Sequence, residues 1–192
     1  MDHHPLAGEK KTADGAPRVI GYADEASCYL VPSVGLTWAR KGQTPVLRDG
    51  DRSGHLSVIS LITETGDLSY QIQDGSYHGD DVVRCLRQVR DTYPTTLTMI
   101  WDGASIHRGE AVKTFLQAEN HGVIQLEQLP AYRPELNADE QVWASVKEHE
   151  LQHLCCKTCD ELTPHVVAAF ERLKQQPDLI RSFFKHPQVG FY

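Results

Sequence analysis

The sequence predicts an α/β fold: a mixed sheet with antiparallel strands first and parallel strands after, flanked by helices. Two observations predict it. Apolar, β-branched runs at residues 18–23, 55–63 and 68–73 are separated by Gly- and Pro-marked connections that favour hairpins over crossover helices. From residue 78 onward, helix-periodic stretches alternate with short apolar runs, as when helices cross over between parallel strands.

The elements follow in order. Residues 1–17 carry Gly, Pro, Lys and Asp without periodicity and read as a flexible lead-in. RVIGYA (18–23) reads as a buried strand ending at Asp24 and Glu25. Residues 29–45 are broken by Pro32, Gly35, Gly42 and Pro45, which favours a short hairpin over a helix. Strands at 55–63 and 68–73 around Gly66 make a second hairpin. Residues 78–92 place Val82, Val83, Leu86 and Val89 on one face of a helix opened by Asp80 and Asp81. TLTMIW (96–101) is a central strand ending at Asp102. A helix at 110–119, a strand at 123–126, a helix at 137–154 and a last helix at 162–173 complete the chain.

With 192 residues the chain fits one domain of ordinary size. Hydrophobic and charged contents of 40% and 23% are those of a globular protein, and no apolar run approaches the ~20 residues of a membrane span. The polar start lacks the apolar stretch of a secretory signal, so a cytoplasmic setting is expected. A net charge of −7 argues against gripping DNA by bulk electrostatics, because affinity for phosphates comes from Lys and Arg releasing counterions. Cys155, Cys156 and Cys159 crowd into one segment beside His153 and His165. Without a second C-x-x-C pair they read as reduced thiols rather than a zinc site.

Three acids stand out: Asp24 in GYADE, Asp102 in WDGASIHRG and Glu140 in LPAYRPELNADEQVWASVK. A carboxylate directly after a buried strand is costly unless a cation or a water-filled cleft meets it. Each has a plain reading too. Asp24 and Asp102 suit turns, and Asn137 with Glu140 three residues on suits a helix-capping box.

Together the three strings resemble the catalytic domain of DDE transposases, specifically the insertion-sequence 630 family of the mariner superfamily, from about Arg18 to about Val167. GYADEASCYLVP with TWARKGQTP resembles the first-aspartate block, WDGASIHRG the second, and the string around Glu140 the third. Ala138, Gly103, Ser105 and Arg133 depart from the residues that family favours, and the spacing from Asp102 to Glu140 is slightly long.

The resemblance implies an RNase H-like fold, with residues 18–192 forming the catalytic domain. It implies that Asp24, Asp102 and Glu140 are catalytic and hold two Mg²⁺ or Mn²⁺ ions. Metal-dependent DNA cleavage and strand transfer would follow, each an in-line displacement at phosphorus between ions about 3.5–4 Å apart. The implied partners are DNA, as transposon ends and a TA-containing target, and an upstream half carrying helix-turn-helix segments, with room for a homo-oligomer. The implied setting is a bacterial cytoplasm, at the nucleoid, with no membrane. The alternative is a non-catalytic transposase remnant that binds or regulates a partner.

Trp38, Arg40 and Lys41 on the first hairpin, with Arg133, are candidate DNA contacts, although a hairpin Trp equally anchors a core. His107 either orients Asp102, contacts a phosphate, or simply begins a helix. Glu25 faces away from Asp24 if the strand continues, and is expected to serve in an ion pair.

Overall fold

The computed structural model describes residues 18–30, 39–43, 54–93, 95–130, 133–152 and 154–185, apart from the side chains of 148 and 149. Its centre is a five-stranded sheet in the order β3-β2-β1-β4-β5. The strands are β1 (Arg18–Tyr29), β2 (His55–Thr63), β3 (Leu68–Asp74), β4 (Thr96–Trp101) and β5 (Ile124–Gln128). β1 pairs antiparallel with β2, and β2 with β3, whereas β1–β4 and β4–β5 are parallel. The antiparallel half therefore precedes the parallel half, as the sequence predicts.

Strand alternation sends successive residues to opposite faces. Tyr22, Val58 and Ile62 join Val142, Trp143, Val166, Phe170 and Ile180 in one core. Leu61, Leu97 and Met99 join Val82, Leu86, Val112 and Phe115 in the other. Helices α1 (Gly79–Thr92) and α2 (Glu110–Ala118) cover the second face. Helices α3 (Glu140–Trp143), α4 (Cys159–Lys174) and α5 (Pro177–Phe183) cover the first. In α1 the expected stripe of Val82, Val83, Leu86 and Val89 is buried, and Asp81 accepts a hydrogen bond from the His78 N–H at its start (2.9 Å).

The β2–β3 turn requires glycine. Gly66 has φ +93°, and a Cβ there would lie 2.7 Å from the Pro177 carbonyl oxygen at the start of α5.

Three boundaries differ from the sequence reading. β1 does not stop at Asp24: its hydrogen bonding with β2 continues to Tyr29↔His55 after its pairing with β4 has ended at Tyr22↔Ile100. The helix expected over 137–154 is one α-turn that continues as a π-helical stretch at Ala144–Glu150. The final helix starts at Cys159, where Thr158 Oγ1 accepts from the Glu161 N–H (3.2 Å), and α5 follows it. Of the expected 29–45 hairpin, only residues 29–30 and 39–43 fall among those described, and the expected lead-in lies outside them. No helix among the described residues is long and apolar enough to cross a membrane.

Candidate active site

The register of the parallel pair sets the position of the two aspartates. Tyr22 lies opposite Ile100, so two more residues along each chain bring Asp24 and Asp102 to the same level. That level is the carboxyl end of β4, the edge where α/β sheets commonly receive ligands. Glu140, the first residue of α3, approaches from the helical layer on the Asp24 side.

Asp24 is half-buried, and its Oδ2 accepts a hydrogen bond from Trp143 Nε1 (3.0 Å). Burial pushes its carboxyl up to about 7, and the charges of Glu140 and then Asp102 push in the same direction. A Glu25 backbone hydrogen bond and the Trp143 indole only partly offset them. Burial also raises Glu140, against the pull of Lys147. Lys147 lies over the Trp143 ring, 5.4 Å from its centroid.

Asp102 behaves oppositely. Its side chain is 52% exposed, and His107 Nδ1 lies 2.7 Å from its Oδ1, which also accepts from the Ala104 N–H (3.1 Å). The hydrogen bond from His107 holds this carboxyl below the usual range against the effect of partial burial; Ala104, the imidazole's charge and Arg108 add to the lowering. His107 is only 7% exposed and stacks on Trp101, with ring centroids 3.7 Å apart. Its Nε2 has no hydrogen-bond partner among the described residues. His107 thus faces Asp102 from inside the protein rather than projecting into solvent. Glu25 is half-buried on the His107 side of the sheet. Burial raises its carboxyl, the His107 charge lowers it, and Asp102 raises it.

The other sequence candidates are scattered. Arg40 and Lys41 are exposed at a turn closed by the Gln43 N–H to the Arg40 carbonyl (2.9 Å). Arg133 is exposed, and its Nη1 lies 3.1 Å from Glu135 Oε1. Trp38 lies outside the described residues, as does His153. In the cysteine segment, Cys155 is exposed, Cys156 is buried and Cys159 begins α4.

The Asn137–Glu140 capping box does not form. The Glu140 N–H donates to the Asn137 backbone carbonyl, while the Asn137 side chain donates to the Ala23 carbonyl (3.1 Å) and accepts from the Asp139 N–H (3.1 Å). Asp139, which the sequence reading passed over, is fully buried and accepts a hydrogen bond from Ser60 Oγ (2.5 Å). Burial, then the charge of Asp24, hold its carboxyl well above the usual range; Ser60 opposes this and Glu140 adds to it. The only sequence signal was an acid next to Glu140, and Lys147 was likewise visible only as part of the WASVK string.

The family described as DDE superfamily endonuclease matches residues 19–163, most of the chain. The chain belongs to the DDE superfamily of endonucleases. Among curated relatives it is similar to the insertion element IS630 uncharacterized 39 kDa protein of Shigella sonnei, 25% identical over 165 residues. That alignment covers 84% of this chain and 47% of the relative, so the chain spans about half the length of the curated relative it matches. Among solved structures it resembles the Mos1 strand transfer complex (TM-score 0.58, 15% identity, 91% of this chain and 55% of that one). It also resembles the Mos1 mariner paired-end complexes with Mn and with Mg, both at TM-score 0.57. The Mn complex is 16% identical over 90% of this chain and 56% of that one, and the Mg complex 15% over 91% and 56%. The DDE chain therefore has the RNase H-like fold of these transposases.

Proposed function

We propose that this chain is the catalytic part of an insertion-sequence transposase, cutting and joining DNA with Asp24, Asp102 and Glu140. The observation that carries the proposal is the parallel register that sets Asp24 level with Asp102, with Glu140 near enough to raise the Asp24 carboxyl. Three carboxylates form a hard oxygen donor set suited to Mg²⁺ or Mn²⁺. Among the described residues, no three His, Cys, Asp or Glu side chains already stand close enough together to hold an ion. The donor chemistry of the three carboxylates nonetheless suits such an ion.

Asp24, Asp102 and Glu140 would hold the metal, which would supply positive charge to polarise the phosphodiester and activate the attacking oxygen. The chain's own residues do the rest. Trp143 fixes Oδ2 of Asp24, while His107 fixes Oδ1 of Asp102. An oriented carboxylate loses less freedom on binding an ion than a mobile one. Lys147 tempers the repulsion at Glu140. The exposed cations Arg40, Lys41 and Arg133 would pair with DNA phosphates, with the chain's net charge of −7 limiting their grip. Helix-turn-helix segments encoded upstream would recognise the transposon ends.

The test is metal-dependent nicking of duplex DNA ending in the element's terminal repeats, with the upstream segment supplied. Nicking by the wild-type chain that Asp102→Ala and Glu140→Ala abolish, with repeat binding retained, is the expected result. Binding without nicking in Mg²⁺ or Mn²⁺ would instead favour a regulatory remnant.

A further inference from the structure

We infer that Asp139 and Ser60 are positioning residues, a buried hydrogen-bonded pair that fixes Glu140 and Trp143 relative to Asp24. The inference rests on the proposed metal-binding role of Asp24, Asp102 and Glu140.

The pair closes a ring of contacts. Ser60 lies directly across from Asp24 in the β1–β2 ladder. Its hydroxyl donates to Asp139 Oδ2, and both residues are fully buried. The Asp139 backbone carbonyl accepts from the N–H groups of Val142 (2.9 Å) and Trp143 (3.4 Å), forming the first turn of α3. The Trp143 indole then returns to Asp24 Oδ2. Asn137 fastens the same segment to the strand beside Asp24 through the Ala23 carbonyl.

Such fastening has a physical reason. α3 has only four residues before its hydrogen bonding shifts to the π pattern, and no side chain caps its start. A single turn has little stability of its own, since helix nucleation is unfavourable. Its direction must therefore come from tertiary contacts. Val142 and Trp143 supply apolar burial, which is non-directional. The hydrogen bond from Ser60 has a fixed length and angle and sets the register of the turn against β2. A buried acid is an expensive way to gain stability: Oδ1 of Asp139 lacks a partner among the described residues, and an apolar side chain would fill the site without that penalty. Its place between a core alanine, Ala138, and Glu140 assigns it to geometry rather than to core strength.

The experiment titrates the whole chain with Mn²⁺ by calorimetry, alongside thermal unfolding and the indole N–H resonance of Trp143. Ser60→Ala and Asp139→Leu should each weaken Mn²⁺ binding about tenfold and shift the indole resonance, with Asp139→Leu melting at or above the wild-type temperature. Asp139→Asn, whose amide oxygen also accepts from Ser60, should stay within about twofold of wild type. Should Asp139→Leu fail to fold, Ser60→Ala decides the matter, because it removes only the donor. Unchanged Mn²⁺ affinity in Ser60→Ala overturns the positioning role alone, as does an Asp139→Asn variant as weak as Asp139→Leu. A wild-type chain that binds no Mn²⁺, or binds it as well after Asp102→Ala, overturns the metal-site reading and this inference with it.

Discussion

Asp24 and Asp102 each lie two residues past the last matched pair of neighbouring parallel strands, yet their surroundings treat their charge in opposite ways. Asp24 lies over the core of α3–α5, beside Glu140 and near the buried Asp139, and its carboxyl is raised to about 7. Asp102 sits at an open corner, half in solvent, with an imidazole behind it, and its carboxyl is lowered. The sheet supplies equivalent backbone positions, and the packing on each face decides which acid resists ionisation. Asp102 is ready to meet a cation, whereas Asp24 becomes a full anion at neutral pH only when positive charge arrives.

The largest expected effect of this contrast is on the pH dependence of stability without metal. Folding raises the Asp24 carboxyl, so the folded chain keeps a proton that the unfolded chain releases above about pH 4. Its contribution to stability is full below that pH and is lost as pH rises through about 7. Glu25, Asp139 and Glu140 are raised as well and act in the same direction. Asp24→Asn should therefore flatten, without abolishing, the fall in stability between pH 4 and 7, and should stabilise the chain at pH 8 by roughly 2–4 kcal/mol. Denaturant unfolding at several pH values measures this. Asp102 should act with the opposite sign, losing its contribution only as pH falls below the ordinary carboxylate range.

A smaller effect should follow from removing the imidazole behind Asp102. His107→Leu keeps much of the bulk stacked on Trp101 but takes away the donor, so the Asp102 carboxyl should rise toward its ordinary value and Mn²⁺ affinity should drop about tenfold, or ~1.4 kcal/mol. Carboxyl-carbon NMR titration reads the first change and calorimetry the second. If Asp102 titrates as before, His107 is only a core residue.

The smallest effect belongs to Trp143. Trp143→Phe retains an aromatic ring against Phe170 and loses the hydrogen bond to Asp24, which should shift the Asp24 titration further upward. The stability change should be about 1 kcal/mol at neutral pH. An unshifted Asp24 in the same NMR titration would remove the indole from the account.

Sequence patterns exposed the elements whose signals are local. The β-branched runs of β2 and β4 have the predicted bounds, and the apolar stripe of α1 is buried as read. The end of β1 was hidden because a strand stops where its partners stop. β1 loses β4 at Tyr22 and keeps β2 to Tyr29, and nothing in its own residues records that difference. The single α-turn at Glu140 was hidden because the change from i→i+4 to i→i+5 hydrogen bonding over so short a segment leaves no distinct mark in the apolar pattern. For the proposed site, the flanking strings singled out the three acids. The hydrogen bond between Ser60 and Asp139 was not, since it joins residues 79 apart that carry no joint pattern.

In the proposed function, Asp24, Asp102 and Glu140 form one metal-binding site. Anomalous scattering from a crystal of the chain soaked in Mn²⁺ tests it most directly. Manganese is expected at the carboxyl end of β4, bonded to oxygens of all three side chains, and is expected to be lost in a crystal of Asp102→Ala. Manganese bound without Asp24 and Glu140, or retained in Asp102→Ala, would contradict it.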